Sequence, residues 1–193
     1  MYYFMVICSK ILLIIVDYYI ILLLYYGYHR FIHLPIAGPL YRMHYIGHHK
    51  KDFPLRHLCD KSYNKNGGSG WFETGGELVF GIPVISLLYV IYYLIEFDNF
   101  IILTCIFSVL ILSGDITHSS YHLANNAISH PESLTVHKWL IKQNWFSKYQ
   151  RLHYIHHAKR NANYGFFDFT IDRLFGTYIE KEPNYLKYFT YKL

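Results

Sequence analysis

Two long apolar blocks constrain the fold of this chain more than any other feature of its sequence. The first runs from about Met1 to Tyr26, and the second runs from Leu78 to Leu112 around an acidic EFDN turn at Glu96 to Asn99. A helix that crosses the hydrocarbon core of a bilayer needs about 20 predominantly apolar residues. We therefore predict one N-terminal transmembrane helix followed by a transmembrane hairpin, which together make about three passes.

The two limbs of the predicted hairpin differ in length. At a rise of about 1.5 Å per residue, Leu78 to Ile95 would form a helix about 27 Å long, and Phe100 to Leu112 would form one of only about 20 Å. The second limb must therefore continue through Asp115 if it is to cross the bilayer.

The first block fits a retained anchor better than a cleavable signal peptide, because Lys10 interrupts the apolar run and no small-residue cleavage site follows it. We predict an anchor helix over residues 1–27 and one domain over residues 28–193 that includes the hairpin at 78–114. Residues 27–76 are polar, and we expect them to be loop-like up to a glycine-rich linker.

The distribution of charge indicates which segments share a side of the membrane. The chain has a net charge of +5, and its basic residues fall mainly in two segments, seven between Arg30 and Lys65 and ten between Lys138 and Lys192. Basic residues concentrate in the cytoplasmic loops of membrane proteins. One span followed by a hairpin places both segments on one side, so we predict that both face the cytosol. Because these charges flank apolar spans, we expect no nucleic-acid partner.

Ten of the thirteen histidines form four groups, each at or beside the end of an apolar stretch, in the sequences HRFIH, HYIGHH, HSSYH and HYIHH. Spacings of three and four residues place side chains on one face of a helix. Neutral imidazole is the commonest protein ligand for transition metals. Ten such ligands are too many for one ion and suit two, which predicts a dinuclear metal centre at a membrane surface. The candidate ligands are His29, His33, His44, His48, His49, His118, His122, His153, His156 and His157.

The residues alone leave the metal open among zinc, copper, iron and nickel, all of which accept imidazole ligands. A structural zinc site usually includes thiolate, and the three cysteines have no CxxC spacing. Two ions with open positions for oxygen chemistry account for the pattern more economically. Carboxylates are expected to orient the imidazoles through their second nitrogens. The candidates are Asp115, Asp168, Asp172 and Glu73, while His57, His130 and His137 are expected to be ordinary surface or interfacial residues.

Three segments carry a resemblance to a known family. Leu40–Pro54 (LYRMHYIGHHKKDFP) surrounds a histidine box, Gly114–His122 (GDITHSSYH) has the form D-x-x-H-x-x-x-H, and His153–Tyr178 joins an HxxHH box to NYG and a sequence close to WDxxFGT. From about Tyr28 to Tyr178 the chain resembles the fatty acid hydroxylase/sterol desaturase superfamily of integral-membrane di-iron oxygenases.

The chain departs from this family in three places. Its second box reads HxxxHH, so Tyr45 stands where the family has its first histidine, and His44 comes one residue earlier. Either a local π-type bulge brings His44 to the metals, or one ligand is lost. Ile171 stands where the family usually has tryptophan, and three passes are predicted where members often have four.

The resemblance implies an all-α integral-membrane helical bundle with a cytosolic helical cap that carries the dimetal site. It implies two iron ions held by the ten histidines, with zinc able to replace them in a preparation, and a catalytic role for Asp115. The activity it implies is hydroxylation or desaturation of a lipid with O₂, using electrons from a cytochrome b5-type donor and its reductase. The usual location of the family is the endoplasmic reticulum, with the histidines facing the cytosol.

Two other functions compete with this interpretation. A non-enzymatic metal-binding membrane protein derived from the same family would explain the irregular second box. A metal transporter is the weaker alternative, because its histidines should lie within the spans, whereas these flank them.

Overall fold

The structure is a computed structural model that describes residues 2–55, 97–123 and 135–181, together with Val90. Every regular element in these ranges is helical, which confirms the prediction of an all-α fold. The elements are α1 (Tyr2–Ile32), a 3₁₀ helix (Pro35–Ala37), α2 (Pro39–Tyr41), a π-helix (Arg42–Asp52), α3 (Phe97–Leu123), α4 (Thr135–Leu140), α5 (Phe146–Ala158) and α6 (Thr170–Leu174).

Helices α1 and α3 are long and apolar enough to cross a membrane. The candidate membrane spans are Tyr3–Ile32 and Asn99–His122, with mean hydropathies of 2.3 and 2.2. Only 18% and 22% of the most apolar part of each span is buried. The core helix of a soluble protein would be mostly buried. Large apolar side chains such as Leu12 and Val109 are exposed instead, which suits contact with lipid. The first limb of the predicted hairpin lies outside the described residues except for Val90, so a third pass stays a prediction.

Both long helices extend beyond the apolar segments that predicted them. Helix α1 continues past Tyr26 to Ile32, and within the described residues α3 already includes Phe97 of the expected EFDN turn and continues to Leu123. The continuation of the second limb through Asp115 is therefore observed. With 27 residues, α3 is about 40 Å long at the usual helical rise. Each helix thus carries histidines at its polar C-terminal end.

The apolar sides of α1 and α3 pack against each other around Ile21, Leu103 and Phe107. At one end of this contact, Lys10 Nζ donates a hydrogen bond to Asn99 Oδ1 at 3.2 Å. At the other end, the Tyr26 side chain packs against residues that follow α5, which fixes the C-terminal part of the structure on α1.

The prediction that residues 27–76 are loop-like is wrong for the part that the structure describes. Residues 27–32 complete α1, and the 3₁₀ helix, α2 and the π-helix follow within the next twenty positions. The backbone turns at Gly38, whose φ is +60°, a conformation that glycine adopts without steric cost. This turn sends the π-helix back across the end of α1, so its histidines meet those of α1.

Candidate metal centre

The ten candidate histidines lie in two groups of five. In each group the ring nitrogens that could bind an ion all lie within 4.8 Å of one another, and nine of the ten side chains are buried. The first histidine group is His29, His33, His44, His49 and His156, and the second histidine group is His48, His118, His122, His153 and His157.

Two helices supply ligands to both groups, and two supply only one. The end of α1 contributes to the first group alone, and α3 contributes to the second alone, whereas the π-helix and α5 contribute to both. The HYIHH box of α5 is divided between the groups: His153 and His157 lie in the second group, and His156 lies in the first.

The π-helix determines the position of His44. Its hydrogen bonds join residues five apart, whereas those of an α-helix join residues four apart, so each turn is wider. Residues four and five apart therefore lie on one face, and His44, His48 and His49 have this spacing. His44 is buried and lies within the first group. A π-helical segment thus brings His44 into the first group, and its role as a metal ligand stays a prediction.

The spacing of the nitrogens in each group fits an ion. In the first group, His44 Nε2 lies 3.0 Å from His29 Nε2, 3.1 Å from His33 Nε2 and 3.3 Å from His49 Nε2. In the second, His153 Nε2 lies 3.0 Å from His122 Nε2. Nitrogens bound to one ion at about 2.1 Å are about 3.0 Å apart at right angles and about 3.4 Å apart at the tetrahedral angle.

Hydrogen bonding alone does not account for this packing. A neutral imidazole nitrogen either donates one hydrogen or accepts through one lone pair. The Nε2 of His44 has three other Nε2 atoms within 3.3 Å and cannot satisfy all of them. The Nε2 of His156 is buried and has no hydrogen-bond partner among the described residues. A cation between the nitrogens would resolve both features, so the donor set fits a metal.

Backbone carbonyls fix the protons of three imidazoles. His29 Nδ1 lies 2.7 Å from the Tyr164 carbonyl oxygen, His156 Nδ1 lies 2.8 Å from that of Ala162, and His157 Nδ1 lies 3.2 Å from that of Phe53. Because a carbonyl only accepts, Nδ1 must carry the hydrogen in each ring. The lone pair then lies on Nε2, which is the nitrogen that faces the other histidines.

Burial keeps the imidazoles neutral. It lowers the pKa of His156 to about 4, although the bond to the Ala162 carbonyl acts in the opposite direction. Burial is also the main cause of the lowered pKa of His44, His49 and His157, and the neighbouring imidazoles lower these pKa values further. Only the neutral ring has the lone pair that binds a metal, so these side chains are ready for ligation near neutral pH.

The two groups adjoin. The rings of His49 and His157, one from each group, stack with their centroids 4.0 Å apart and their planes at 28°. His44 and His48 also stack across the boundary at 5.4 Å. Two ions held by these groups would be near neighbours, so the arrangement suits a dinuclear centre.

An apolar pocket lies between α1 and α3 and ends near the histidines. Leu22, Phe107 and Gly114 are among its lining residues. Phe166 also lines it, and this ring lies 4.6 Å from the ring of His118 and 5.3 Å from that of His29. The Phe166 ring therefore lies between the apolar pocket and both histidine groups, which is the layout of a site for an apolar ligand.

The carboxylates expected beside the imidazoles have different surroundings. Asp115 is half-buried on α3, three residues before His118. Asp168 accepts a hydrogen bond from the Tyr18 hydroxyl at 2.6 Å. Asp172 accepts a hydrogen bond from the backbone N–H of Tyr164, a contact that the sequence did not predict. Glu73 lies outside the described residues.

The three ungrouped histidines can be checked only in part. His137 lies in neither group, but it is buried rather than on the surface. Its Nε2 lies 3.3 Å from Ser119 Oγ. His57 and His130 lie outside the described residues.

A comparison with protein-family models matches residues 14–177 to the model described as "Fatty acid hydroxylase". The matched range contains both histidine groups and most of the α1–α3 contact. No curated protein and no solved structure matches the chain.

Proposed function

The chain belongs to the fatty acid hydroxylase family, and we propose that it is a membrane-bound di-iron oxygenase that hydroxylates or desaturates a lipid. The proposed oxidant is O₂, and the proposed electron source is a cytochrome b5-type donor with its reductase. One observation carries the proposal: two adjoining groups of five histidines lie beside an apolar pocket between two apolar helices. Members of this family are generally oxidoreductases that act on lipids, and the two apolar helices agree with a membrane protein.

The ten histidines are the proposed ligands of two iron ions. When bound, iron would supply the activation of O₂ that removes hydrogen from an unactivated C–H bond. The chain's own contribution is to hold the ions, orient the imidazoles through the carbonyls of Tyr164, Ala162 and Phe53, and keep the surroundings dry.

The pocket is the proposed site of the lipid chain. Its lining is almost entirely apolar, and it opens between helices whose outer surfaces face the bilayer in our proposal. Phe166 and Tyr25, whose rings lie 5.3 Å apart, close its inner end. An alkyl chain in the pocket would thus lie next to the histidine groups while these two rings restrict water.

Asp115 has a proposed catalytic role, which follows from the resemblance of GDITHSSYH to the family's D-x-x-H-x-x-x-H segment. It lies nearly one helical turn before His118 and is close enough to interact electrostatically with Tyr25. We also propose that the histidine groups face the cytosol in the endoplasmic reticulum, as the basic residues around them suggest.

The proposal is tested by removing one histidine from each group. We expect His156→Ala and His157→Ala to abolish oxidation of cellular lipids, measured by mass spectrometry in cells that also make a suitable donor and reductase. His137→Ala is the matched control, since His137 is a buried histidine in neither group. Membrane fractionation checks that each variant still inserts. Unchanged lipid products in the two ligand variants would contradict the proposal.

The main reason for the non-enzymatic alternative was the possible loss of a ligand in the second box. His44 lies in the first histidine group with the other four members, which supports the enzymatic function over this alternative. The exchange of His44 and Tyr45 separates the two functions, because lipid oxidation gained only after the exchange would favour the alternative.

A further inference from the structure

We infer that different parts of the chain orient the two histidine groups, and that Asp172 is a positioning residue for the first group alone. The inference rests on the proposed function only in treating the two groups as metal positions. It concerns a loop, Ala162 to Gly165, which we call the NYG loop.

The NYG loop supplies two carbonyl acceptors that orient imidazoles of the first group. The Tyr164 carbonyl accepts from His29 Nδ1 at 2.7 Å, and the Ala162 carbonyl accepts from His156 Nδ1 at 2.8 Å. These two histidines come from α1 and α5, at opposite ends of the described chain. A displacement of one four-residue loop would therefore turn two of the five imidazoles of this group at once.

The Asp172 carboxylate fixes the path of this loop. It is 1% exposed and accepts hydrogen bonds from the Tyr164 amide at 2.8 Å and the Gly165 amide at 2.9 Å. The Thr177 hydroxyl donates a third bond at 2.7 Å. A carboxylate can accept all three, whereas an asparagine amide would place a donor against one of the two backbone N–H groups.

The loop has little freedom to take another path. A side chain at Gly165 would overlap the Asp168 carbonyl oxygen. Asn163 adopts a positive φ of 53°, and its side chain donates to the carbonyls of Leu152 and Ile179 at 3.1 and 2.8 Å. The positions of the two acceptor carbonyls thus depend on this packing together with the hydrogen bonds that the Asp172 carboxylate accepts.

The second group is oriented from a different part of the chain. His157 Nδ1 lies 3.2 Å from the carbonyl of Phe53, which follows the end of the π-helix. This bond is longer than the two made by the NYG loop and involves none of its residues. Removal of the Asp172 carboxylate should therefore weaken metal binding in the first group and spare the second.

The test compares iron binding by the full-length wild-type protein, Asp172→Asn and the control Asp168→Asn. Asp168 is a neighbouring carboxylate that binds Tyr18 and Thr170. We expect two iron ions per chain in the wild type and the control. In Asp172→Asn one position should weaken about 10- to 100-fold, as for other outer partners of metal ligands. Electron paramagnetic resonance should then show an isolated ferric ion in place of a coupled pair.

Second substitutions locate the ion that remains. Adding His122→Ala to Asp172→Asn should remove it, whereas adding His156→Ala should leave it bound. If Asp172→Asn does not fold, Thr177→Val removes one of the three bonds and should weaken the same position to a smaller extent. The inference would be overturned if Asp172→Asn or Thr177→Val weakened iron binding equally at both positions, or left wild-type iron affinity at both. A wild-type protein that binds no iron would instead overturn the proposed metal centre.

Discussion

The π-helix and α5 both carry a histidine box, and both divide it between the two groups, but they divide it differently. In α5 the residues that go to the same group, His153 and His157, are four apart. In the π-helix they are His44 and His49, which are five apart. Each helix thus places in one group the residues separated by its own hydrogen-bond period. The period of the backbone, together with the spacing of the histidines, decides in which histidine group a side chain lies.

The two boxes also differ by a single residue. HYIGHH becomes HYIHH, the sequence of the α5 box, if Gly47 is removed. An inserted residue in an α-helix would turn every following side chain by about 100°. Here the wider turns of the π-helix absorb the insertion, so both His44 and the His48–His49 pair still face the site.

The largest expected effects on iron content and lipid oxidation come from replacing either of two adjacent histidines of the π-helix. His48→Ala and His49→Ala should each lose one of the two iron ions and reduce lipid oxidation at least 100-fold (about 2.7 kcal/mol or more at the transition state). Combining His48→Ala with His157→Ala should still leave one ion, because both histidines lie in the second group. Combining His48→Ala with His49→Ala should leave none. Iron content by plasma mass spectrometry measures this, and identical iron loss in the two double variants would refute the division.

An intermediate effect is expected when His44 and Tyr45 exchange places. In a π-helix this exchange turns the imidazole away from the first group, so one ligand is lost. We expect the affinity of that position for iron to fall at least about tenfold, since even outer partners of ligands are worth that much. Iron titration of the purified variant measures the change. An unchanged or higher affinity would mean that the segment is α-helical in the working protein.

The smallest effect on iron is expected from deletion of Gly47. The deletion creates a second HYIHH box, which an α-helix can divide between the groups as α5 does, so both ions should stay bound. The shift of Phe53, whose carbonyl accepts from His157, should lower the free energy of unfolding by about 1–3 kcal/mol. Gly47→Ala is the control, because a Cβ there meets only the Arg42 carbonyl oxygen at 3.5 Å. Thermal denaturation and iron content together test the prediction, and loss of one ion after the deletion would contradict it.

The sequence predicts the parts of this molecule that depend on local pattern. The apolar runs predict α1 and α3, and helical spacing together with family resemblance singles out the ten histidines that the structure brings together. The division of these histidines into two groups could not be predicted, because it depends on where α1, α3 and α5 cross the π-helix. The ligand role of each histidine stays a prediction until a metal is measured.

Other features depend on contacts between distant segments and leave no local signal. The bond from His29 to the Tyr164 carbonyl joins residues 135 positions apart, and the place of Phe166 between pocket and histidines depends on how the chain returns to α1. The NYG sequence and the segment that contains Asp172 could be recognised as motifs. The hydrogen bonds between them could not be predicted from the sequence.

The replacement of an α-helix by a π-helix in a histidine box has a consequence for how such a family evolves. A one-residue insertion inside a ligand box would ordinarily destroy the box and be eliminated by selection. Because a π-helix can accommodate the added residue, lineages can drift in motif length while the same imidazoles continue to point inward. Fixed-spacing signatures would then overlook functional members, and the direction in which each ring faces would be the property that is inherited.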